Sequence, residues 1–358
     1  MVLGYHASAL TLNPDQTGIG FEPLRKFEQW GFLGVQVFFV VSGYCIAAAA
    51  LATRGDRPIG TFLTRRLRRI FPPYWGMLVV LCLFGLVGIL LRRGGVENPI
   101  FDPFHVHDGP TWMQGEPLGA HWATNVTLTE TAWMAFGGHP VYANSVSWSL
   151  CYEIQFYALA ALVLVARTPR VAALGLVAMS LATIAVRAFP VIYPRGFLFD
   201  RWFDFACGLW LFYRLTGPGG RRALLVDAAA LGALVLHYYA HVYSANGESL
   251  SQESKTPFFC AGVAVVLFLL RRLDLDRRLE PLAPVRALSW VGTRSYSIYL
   301  IHYPIVMTLA VWEPMRRLET GYGLYAVVLL MVTLSLLAAE AFHRGVERRF
   351  LNPPRPAA

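Results

Sequence analysis

Two ionisable side chains stand inside apolar runs of the sequence, where a charge is costly. His6 lies in a first apolar run that ends near Leu12, and Glu153 interrupts the run at 148–166. A carboxylate in hydrocarbon costs roughly 2.5–3.5 kcal/mol on insertion scales, so it is retained where it faces a bundle interior and has a partner. Histidine titrates near neutral pH and suits proton transfer. His6 is a candidate partner for Glu153, and the alternative is an ordinary polar group that is satisfied locally.

A basic cluster precedes the second long apolar run. Four arginines occupy five positions, namely Arg65, Arg66, Arg68 and Arg69, and Pro72-Pro73 with Tyr74-Trp75 follow them. We expect the prolines to start a helix, with the arginines immediately before it. Anchoring at the cytoplasmic surface explains some of these arginines. Arginine also binds phosphate in a bidentate fashion, so the cluster predicts an anionic cofactor or a lipid headgroup on the cytoplasmic side.

Other polar residues interrupt apolar runs and are candidates for lining a cavity. At helical spacing Ser149 and Glu153 share one face and Trp148 lies on the neighbouring one, and Glu153 is expected about one turn below the outer surface. The remaining candidates are Ser42, Asp204, Tyr296, Tyr299 and His302. Each has a structural alternative: close helix packing for Ser42-Gly43, interfacial charge for Asp204, and a buried packing network for the stripe at 296–302.

Two histidine pairs have spacings that invite a metal interpretation. His237 and His241 are four residues apart, and His105 and His107 stand in a long loop. A structural or catalytic zinc site needs three or four protein ligands, and no clear third and fourth ligand accompanies either pair. We therefore predict no metal site and no permanently bound cofactor.

The composition indicates an integral membrane protein. The chain has 358 residues, of which 56% are hydrophobic and 15% charged, whereas soluble proteins carry about 25% charged residues. The apolar runs recur from end to end and do not alternate as in a transmembrane β-barrel. The net charge of +9 is explained by arginines in cytoplasmic loops better than by nucleic-acid binding. The predicted fold class is all-α, as a single transmembrane domain over 1–358 with no appended soluble domain.

About ten helices are expected to span the membrane. After the short first run, the predicted spans are 31–52, 73–91, 148–166, 171–189, 201–215, 223–243, 257–270, 289–311 and 322–342. With the N-terminus inside, inner segments hold 20 of the 31 Lys and Arg residues, outer segments hold 10, and Arg294 lies within a span. This two-to-one bias predicts that both termini are cytoplasmic.

Taken together, these motifs resemble the acyltransferase-3 family of bacterial integral-membrane O-acyltransferases. The resemblance runs nearly end to end. It rests on His6, the run Phe38-Phe-x-x-Ser-Gly-Tyr44, Arg66-x-x-Arg69-Ile-x-Pro72, Trp148-Ser-Leu-x-x-Glu153-x-x-Phe-Tyr157, Phe203-Asp204-x-x-x-Gly208 and Ser295-Tyr-Ser-Ile-Tyr-Leu-Ile-His302. Any one of these motifs is weak alone, and their common order makes the signal strong.

The resemblance implies a ten-helix core in the bacterial inner membrane, an acyl-CoA donor such as acetyl-CoA, and a glycan or lipid-linked saccharide acceptor. It implies that His6 is the catalytic histidine, that Arg66 and Arg69 with Arg65 bind the donor, and that Glu153 belongs to the same active region. His6 would act as a general base oriented by Glu153, or would carry the acyl group itself. The stripe Tyr296, Tyr299 and His302 would line the cavity.

The first helix departs from the family pattern. In the family this helix begins earlier and carries an arginine about ten residues before the histidine, whereas Met1 here is five residues before His6. The first span is therefore expected to be truncated. Three alternatives to this function are a transporter of a glycolipid or small solute, a membrane-bound O-acyltransferase of the other large family, and a scaffold without catalysis. A transporter predicts symmetry between halves, which the sequence does not show.

Overall fold

The computed structural model describes residues 1–9, 26, 30–53, 58–95, 118–134, 136–138, 140, 142–165, 169–189, 196–244, 252–312 and 323–351. Over these ranges the chain forms α-helices and short 3-10 turns and no strand. The helices are α1 (Val2–Ala9), α2 (Leu33–Ala52), α3 (Pro58–Arg93), α4 (Leu118–Thr127), α5 (Glu130–Met134), α6 (Trp148–Val165), α7 (Pro169–Ala188), α8 (Trp202–Thr216), α9 (Arg221–Ser244), α10 (Gln252–Arg272), α11 (Leu275–Leu279), α12 (Ala283–Thr293), α13 (Ser295–Val311) and α14 (Gly323–Gly345).

The all-α membrane fold is confirmed, while the number of spans stays a prediction. Within the described residues, six helical segments are long and apolar enough to cross a membrane. They are Leu33–Ala52, Pro58–Leu91, Ser145–Val165, Val171–Ala188, Arg221–Ser244 and Gly323–Arg349. Of the other predicted spans, α8 has 15 residues and α13 has 17, both below the roughly 20 that a typical crossing needs.

Two predicted helix boundaries were wrong. The helix that carries the basic cluster begins at Pro58, so Arg65–Arg69 lie within α3 and Pro72-Pro73 lie inside it rather than at its start. Proline usually kinks or breaks a helix, but membrane helices tolerate it where neighbouring groups satisfy the freed backbone. The predicted span 289–311 is broken at Arg294, where α12 ends before α13 begins at Ser295.

The centre of the bundle is the contact between α2 and α8. A Cβ atom at Gly43 would lie 2.3 Å from the carbonyl oxygen of Phe205, and one at Gly208 would lie 2.1 Å from that of Val40. Both glycines therefore let the two backbones touch, as small residues do between membrane helices. The close-packing interpretation of Ser42-Gly43 is thus correct for Gly43. The neighbouring Ser42 donates a hydrogen bond to Glu153 of α6.

Helix α1 packs against α13 and α14. Ala7 is fully buried in a small apolar cluster with Val306 of α13 and Met331 of α14. The side chain of Ser8 donates hydrogen bonds within the helix to the carbonyls of Gly4 and Tyr5. These contacts fix the short helix and present His6 to α13.

One end of the bundle gathers basic residues and is tied together by hydrogen bonds. The phenol of Tyr296 donates to the carbonyl of Ile70 at 2.8 Å, which joins the first turn of α13 to the basic part of α3. The carboxylate of Glu347 is buried between the hydroxyl of Ser297 and the Nδ1 atom of His343. We call this end, where Arg65–Arg69, Arg294 and Glu347 lie, the basic end.

Candidate active site

His6 lies against two aromatic side chains of α13. Its ring centroid is 5.4 Å from that of His302 and 5.0 Å from that of Tyr303, with Tyr5 of its own helix at 4.9 Å. His6 is half-buried. The structure therefore brings together two of the predicted site residues, His6 and His302, from helices nearly 300 residues apart in the chain.

His302 is held in a defined tautomer. Its Nδ1 atom lies 2.8 Å from the carbonyl oxygen of Ile298, and because a carbonyl only accepts, Nδ1 carries the proton. Nε2 is then the basic nitrogen of the neutral ring. It is buried and has no hydrogen-bond partner within the described residues. Next to His6, this nitrogen can accept a proton or a hydrogen bond.

The predicted stripe on α13 is a series of polar contacts that leads from His302 to the basic end. The phenol of Tyr299 donates to the carbonyl of Val146 and accepts from the hydroxyl of Ser149, whose Oγ lies at 2.8 Å. The Tyr299 ring stacks on that of Phe38. Tyr296 completes the stripe at Ile70. From Tyr296 to His302 the helix rises about 9 Å, so the stripe extends from Ile70, next to the arginine cluster, to the ring beside His6.

Glu153 is buried among partners other than His6. Its Oε1 atom accepts from the phenol of Tyr157 at 2.6 Å and from the hydroxyl of Ser42 at 3.4 Å. The guanidinium groups of Arg69 and Arg66 also interact favourably with its negative charge. Among the described residues no hydrogen bond joins Glu153 to His6. The expected His6–Glu153 pair is therefore corrected: Glu153 faces the basic end, while His6 pairs with α13.

The arginine cluster divides into buried and exposed members. Arg66 is half-buried, donates to the carbonyl of Cys45 at 2.6 Å and lies over the Tyr157 ring at 5.7 Å. Arg65 and Arg69 are exposed. Arg66 thus anchors the cluster to α2 and α6, while Arg65 and Arg69 are exposed residues at the surface of the bundle. This arrangement suits an anionic ligand that approaches from outside the bundle.

Trp148 and Asp204 are joined through Arg201, which the sequence did not single out as a site residue. The Arg201 guanidinium lies 5.4 Å from the centroid of the Trp148 ring and 3.7 Å from Oδ2 of Asp204. Asp204 is 2% exposed and also accepts from the thiol of Cys260. A network of a tryptophan, an arginine and a carboxylate lies here at the starts of α6 and α8. Their order in the motifs gave no sign that Arg201 bridges them.

The family is decided by comparison with known proteins. The model of an acyltransferase-domain family, acyltransferase-3, matches residues 1–340. The chain belongs to the acyltransferase-3 family. Membership confirms the resemblance drawn from the motifs, and it favours an acyltransferase over the transporter alternative.

Three relatives show how much is shared with this family. The chain is 25% identical over 343 residues to the peptidoglycan O-acetyltransferase OatA of Listeria monocytogenes. It is 26% identical to the putative peptidoglycan O-acetyltransferase YrhL of Bacillus subtilis, and the two alignments cover 88% and 89% of the chain. The chain spans about half the length of these relatives, 51% and 50%.

A third relative is covered more completely. The chain is 27% identical over 337 residues to the putative membrane-bound transacylase BcsY of Komagataeibacter xylinus. That alignment covers 89% of this chain and 78% of the relative. No solved structure matches.

Two further residues belong to the surroundings of the site. Tyr157 is the main hydrogen-bond donor to Glu153, and its position four residues later on the same helix was the available signal. Glu130 of α5 is fully buried and accepts from the thiol of Cys151 at 3.0 Å, while its Oε1 atom has no partner in the described part of the chain. Burial raises the pKa of Glu130 to about 7. Glu130 stands in no motif of the sequence, so the sequence did not mark it as a functional residue.

The histidine pairs do not extend into a metal site in the part of the chain that is described. His237 and His241 are buried with ring centroids 4.7 Å apart, and His237 also contacts Phe203. No group of three or more His, Cys, Asp or Glu side chains suited to a metal occurs there. His105 and His107 lie outside the described residues.

Proposed function

We propose that this acyltransferase moves an acyl group, acetyl in the simplest case, from acyl-CoA to a hydroxyl of a cell-surface glycan or lipid-linked saccharide. The observation that carries the proposal is the polar stripe of α13, which joins the arginine cluster at Tyr296 to His6 at His302. Helix α13 contacts both the helix of the arginine cluster and His6. Transfer from a phosphorylated thioester donor requires a phosphate site and a basic group within reach of each other. Two relatives are named as a peptidoglycan O-acetyltransferase and a putative peptidoglycan O-acetyltransferase, which supports a glycan acceptor.

The donor is proposed to bind at the basic end. Arg65 and Arg69 would contact phosphate groups of CoA, because arginine binds phosphate in a bidentate and charge-assisted manner. Arg66 would hold the cluster in place through Cys45 and Tyr157. Glu153 neutralises part of the arginine charge from within the bundle. The thioester arm would then follow the stripe of Tyr296 and Tyr299 towards His6.

The chemistry at His6 is proposed to be general base catalysis. An unprotonated ring nitrogen of His6 takes the proton of the acceptor hydroxyl as its oxygen attacks the thioester carbonyl carbon. The C–S bond breaks, and the imidazolium returns the proton to the departing CoA thiolate, so protons balance. His302 is protonated on Nδ1, and its ring lies 5.4 Å from that of His6. It would orient the His6 ring by accepting a hydrogen bond on Nε2.

An acyl-histidine intermediate is the second course of the same reaction. In that case His6 attacks the thioester first, CoA leaves, and the acceptor hydroxyl takes the acyl group from the ring nitrogen. The two courses differ in whether CoA is released when the donor is present without an acceptor. A covalent intermediate on His6 releases one equivalent of CoA before any acceptor is added, whereas direct transfer does not.

The acceptor is proposed to approach near the network of Trp148, Arg201 and Asp204. This network lies at the starts of α6 and α8, next to Tyr152 and Phe39. An aromatic ring beside fixed charges suits a sugar, which has both apolar faces and hydroxyl groups. The arginine bias of the sequence supports an inner-membrane location with both termini in the cytoplasm and with this network towards the opposite side.

The first experiment compares envelope glycans by mass spectrometry in cells that carry the intact gene, a deletion, or His6→Ala. We expect the intact gene to add an acyl mass that both other strains lack. The matched control is His241→Gln, since His241 lies on α9 and outside the stripe. This variant should keep the acyl group.

Purified protein in nanodiscs with labelled acetyl-CoA separates the alternatives. His6→Ala should bind the donor with unchanged affinity and lose transfer, while Arg65→Gln with Arg69→Gln should weaken donor binding. Transfer that persists in His6→Ala would disprove the role of His6. A deletion strain with unchanged glycans, together with no transfer in vitro to saccharide acceptors, would disprove the proposed substrate class.

A further inference from the structure

Helix α12 is a short amphipathic helix that the acyl-transfer proposal leaves unused. Over Ala283–Thr293 its polar residues Arg286, Ser289 and Thr293 fall on one side at helical spacing, and Leu288 and Val291 fall on the other. Apart from the half-buried Val285, every residue of α12 is exposed, with Leu288 at 70%. The described part of the chain therefore leaves the apolar face of α12 uncovered.

Chain continuity places α12 at the surface of the bilayer. A single residue, Arg294, separates it from α13, and α13 enters the bundle at once with the buried Ser297. Arg294 pairs with Glu340 of α14 and lies 4.4 Å from the centroid of the Trp290 ring. Tryptophan with one exposed edge is typical of the interface between headgroups and acyl chains.

The charges around α12 are strongly basic. Between Arg271 and Arg294 there are six arginines and three carboxylates. Arg271 pairs with Asp276 and Arg277 with Asp274. Arg278 and Arg286 have no ion pair among the described residues, and both are exposed. An exposed apolar face with unpaired arginines beside it is complementary to a leaflet that contains anionic lipid.

We propose that α11 and α12 form an interfacial segment that binds anionic phospholipid headgroups at the basic end of the bundle. The apolar face of α12, with Leu288 and Val291, inserts below the headgroups, and Arg278 and Arg286 bind their phosphates. The segment leads directly into α13, so the lipid contact fixes the end of the helix that carries Tyr296. The inference does not depend on which acyl acceptor the enzyme uses.

Hydrogen exchange of the full-length protein in nanodiscs tests this proposal. Backbone exchange in the peptides that cover 275–293 is compared in phosphatidylcholine and in an equal mixture of phosphatidylcholine and phosphatidylglycerol. The anionic mixture should slow exchange there by roughly ten-fold, and the protection should weaken in high salt. Arg278→Gln with Arg286→Gln should abolish the difference between the two lipids.

The matched control is the double variant Arg221→Gln with Arg222→Gln. It removes two exposed tandem arginines at the start of α9 and should leave protection of 275–293 unchanged. Leu288→Ser should reduce protection in both lipids, because it weakens insertion rather than headgroup binding. Equal exchange of 275–293 in the two lipids, or the same loss in the control variant, would overturn the proposal. If exchange of 275–293 slowed only when a soluble protein was added, the apolar face of α12 would bind a protein partner instead of lipid.

Discussion

At the scale of single residues, the buried carboxylate of Glu153 is stabilised locally. The phenol of Tyr157 and the hydroxyl of Ser42 donate to the same oxygen, and the charges of Arg69 and Arg66 act from the basic end. A carboxylate buried without such donors is expensive, and hydrogen bonds to a charged group contribute about 1.5–3 kcal/mol. Glu153 is thus explained by its own surroundings rather than by His6.

The sequence singled out candidate site residues, but it did not predict which of them contact one another. Polar types inside apolar runs singled out His6, Glu153, Ser149, Tyr299 and His302, because intramembrane polar groups are rare. Which of them meet depends on the rotation and depth of each helix. Tyr157 lies one helical turn after Glu153 and is its neighbour at any rotation of α6. A contact between Glu153 and His6 would need the right rotation and depth of two helices, which the sequence does not give.

Tyr157→Phe tests the surroundings of Glu153. The variant keeps the ring next to Phe62 and removes the shortest hydrogen bond to the carboxylate, which should destabilise the protein by about 1–3 kcal/mol. Because Glu153 and Arg66 share this environment, the KM for acyl-CoA should rise more than kcat falls. Thermal unfolding and steady-state kinetics in nanodiscs measure both effects.

Tyr239→Phe is the control for this variant. Tyr239 is 63% exposed on α9, so the loss of its hydroxyl should change neither stability nor KM. If Tyr157→Phe matched the control in both measurements, the hydrogen bond to Glu153 would have no part in holding the arginine cluster.

At the scale of helices, close packing between α2 and α8 sets the framework of the site. Gly43 follows Ser42 directly, and Gly208 lies one turn after Asp204. The contact between the two backbones therefore fixes one residue beside Glu153 and one beside Arg201. Apolar runs predicted that these helices exist. The break at Arg294 was not predicted, although Gly292-Thr-Arg-Ser295 interrupts the apolar pattern there. The charge of Arg294 is taken up by Glu340, 46 residues later, and this pairing could not be read from the sequence.

Alanine at Gly43 or Gly208 should force the two helices apart. The added Cβ atoms would lie 2.3 and 2.1 Å from backbone oxygens, and overpacking of this kind costs about 1–3 kcal/mol. We expect each variant to lower the thermal midpoint and to reduce acyl transfer, since both Ser42 and Asp204 move. Unfolding curves and transfer rates in the same detergent give the comparison.

Gly232→Ala is the matched control, and we expect it to change stability in the opposite direction. Gly232 is within α9, and a Cβ there meets nothing within 4 Å. Alanine in place of an exposed helical glycine should stabilise by roughly 0.5–1 kcal/mol. If all three variants shifted the midpoint in one direction, the α2–α8 contact would not be the cause.

At the scale of the whole molecule, separate parts of the chain converge on the basic end. Tyr296 binds the carbonyl of Ile70, Arg68 reaches the carbonyl of Arg349, and Glu347 is buried between Ser297 and His343. His343 and Glu347 follow the part matched by the family model, which ends at residue 340. The end of the described chain is therefore held against the helices that carry the arginine cluster and the polar stripe. The sequence predicted a basic inner side by counting residues, and in the structure two of those inner segments meet where Arg68 donates to the carbonyl of Arg349.

Orientation in the membrane follows from this clustering and can be measured with single cysteines. We predict that Arg278→Cys, in α11 at the basic end, is inside the cell, and that Phe136→Cys, in the segment before α6, is outside. Both positions are exposed, Phe136 at 77%. The five native cysteines carry no disulfide and are replaced by alanine beforehand.

A membrane-impermeant maleimide should label Phe136→Cys in intact cells and Arg278→Cys only after lysis. The reverse pattern would place the arginine cluster outside, where no cytoplasmic acyl-CoA could reach it. Labelling of both in intact cells would mean that the two positions share one side and that the number of crossings between them is even.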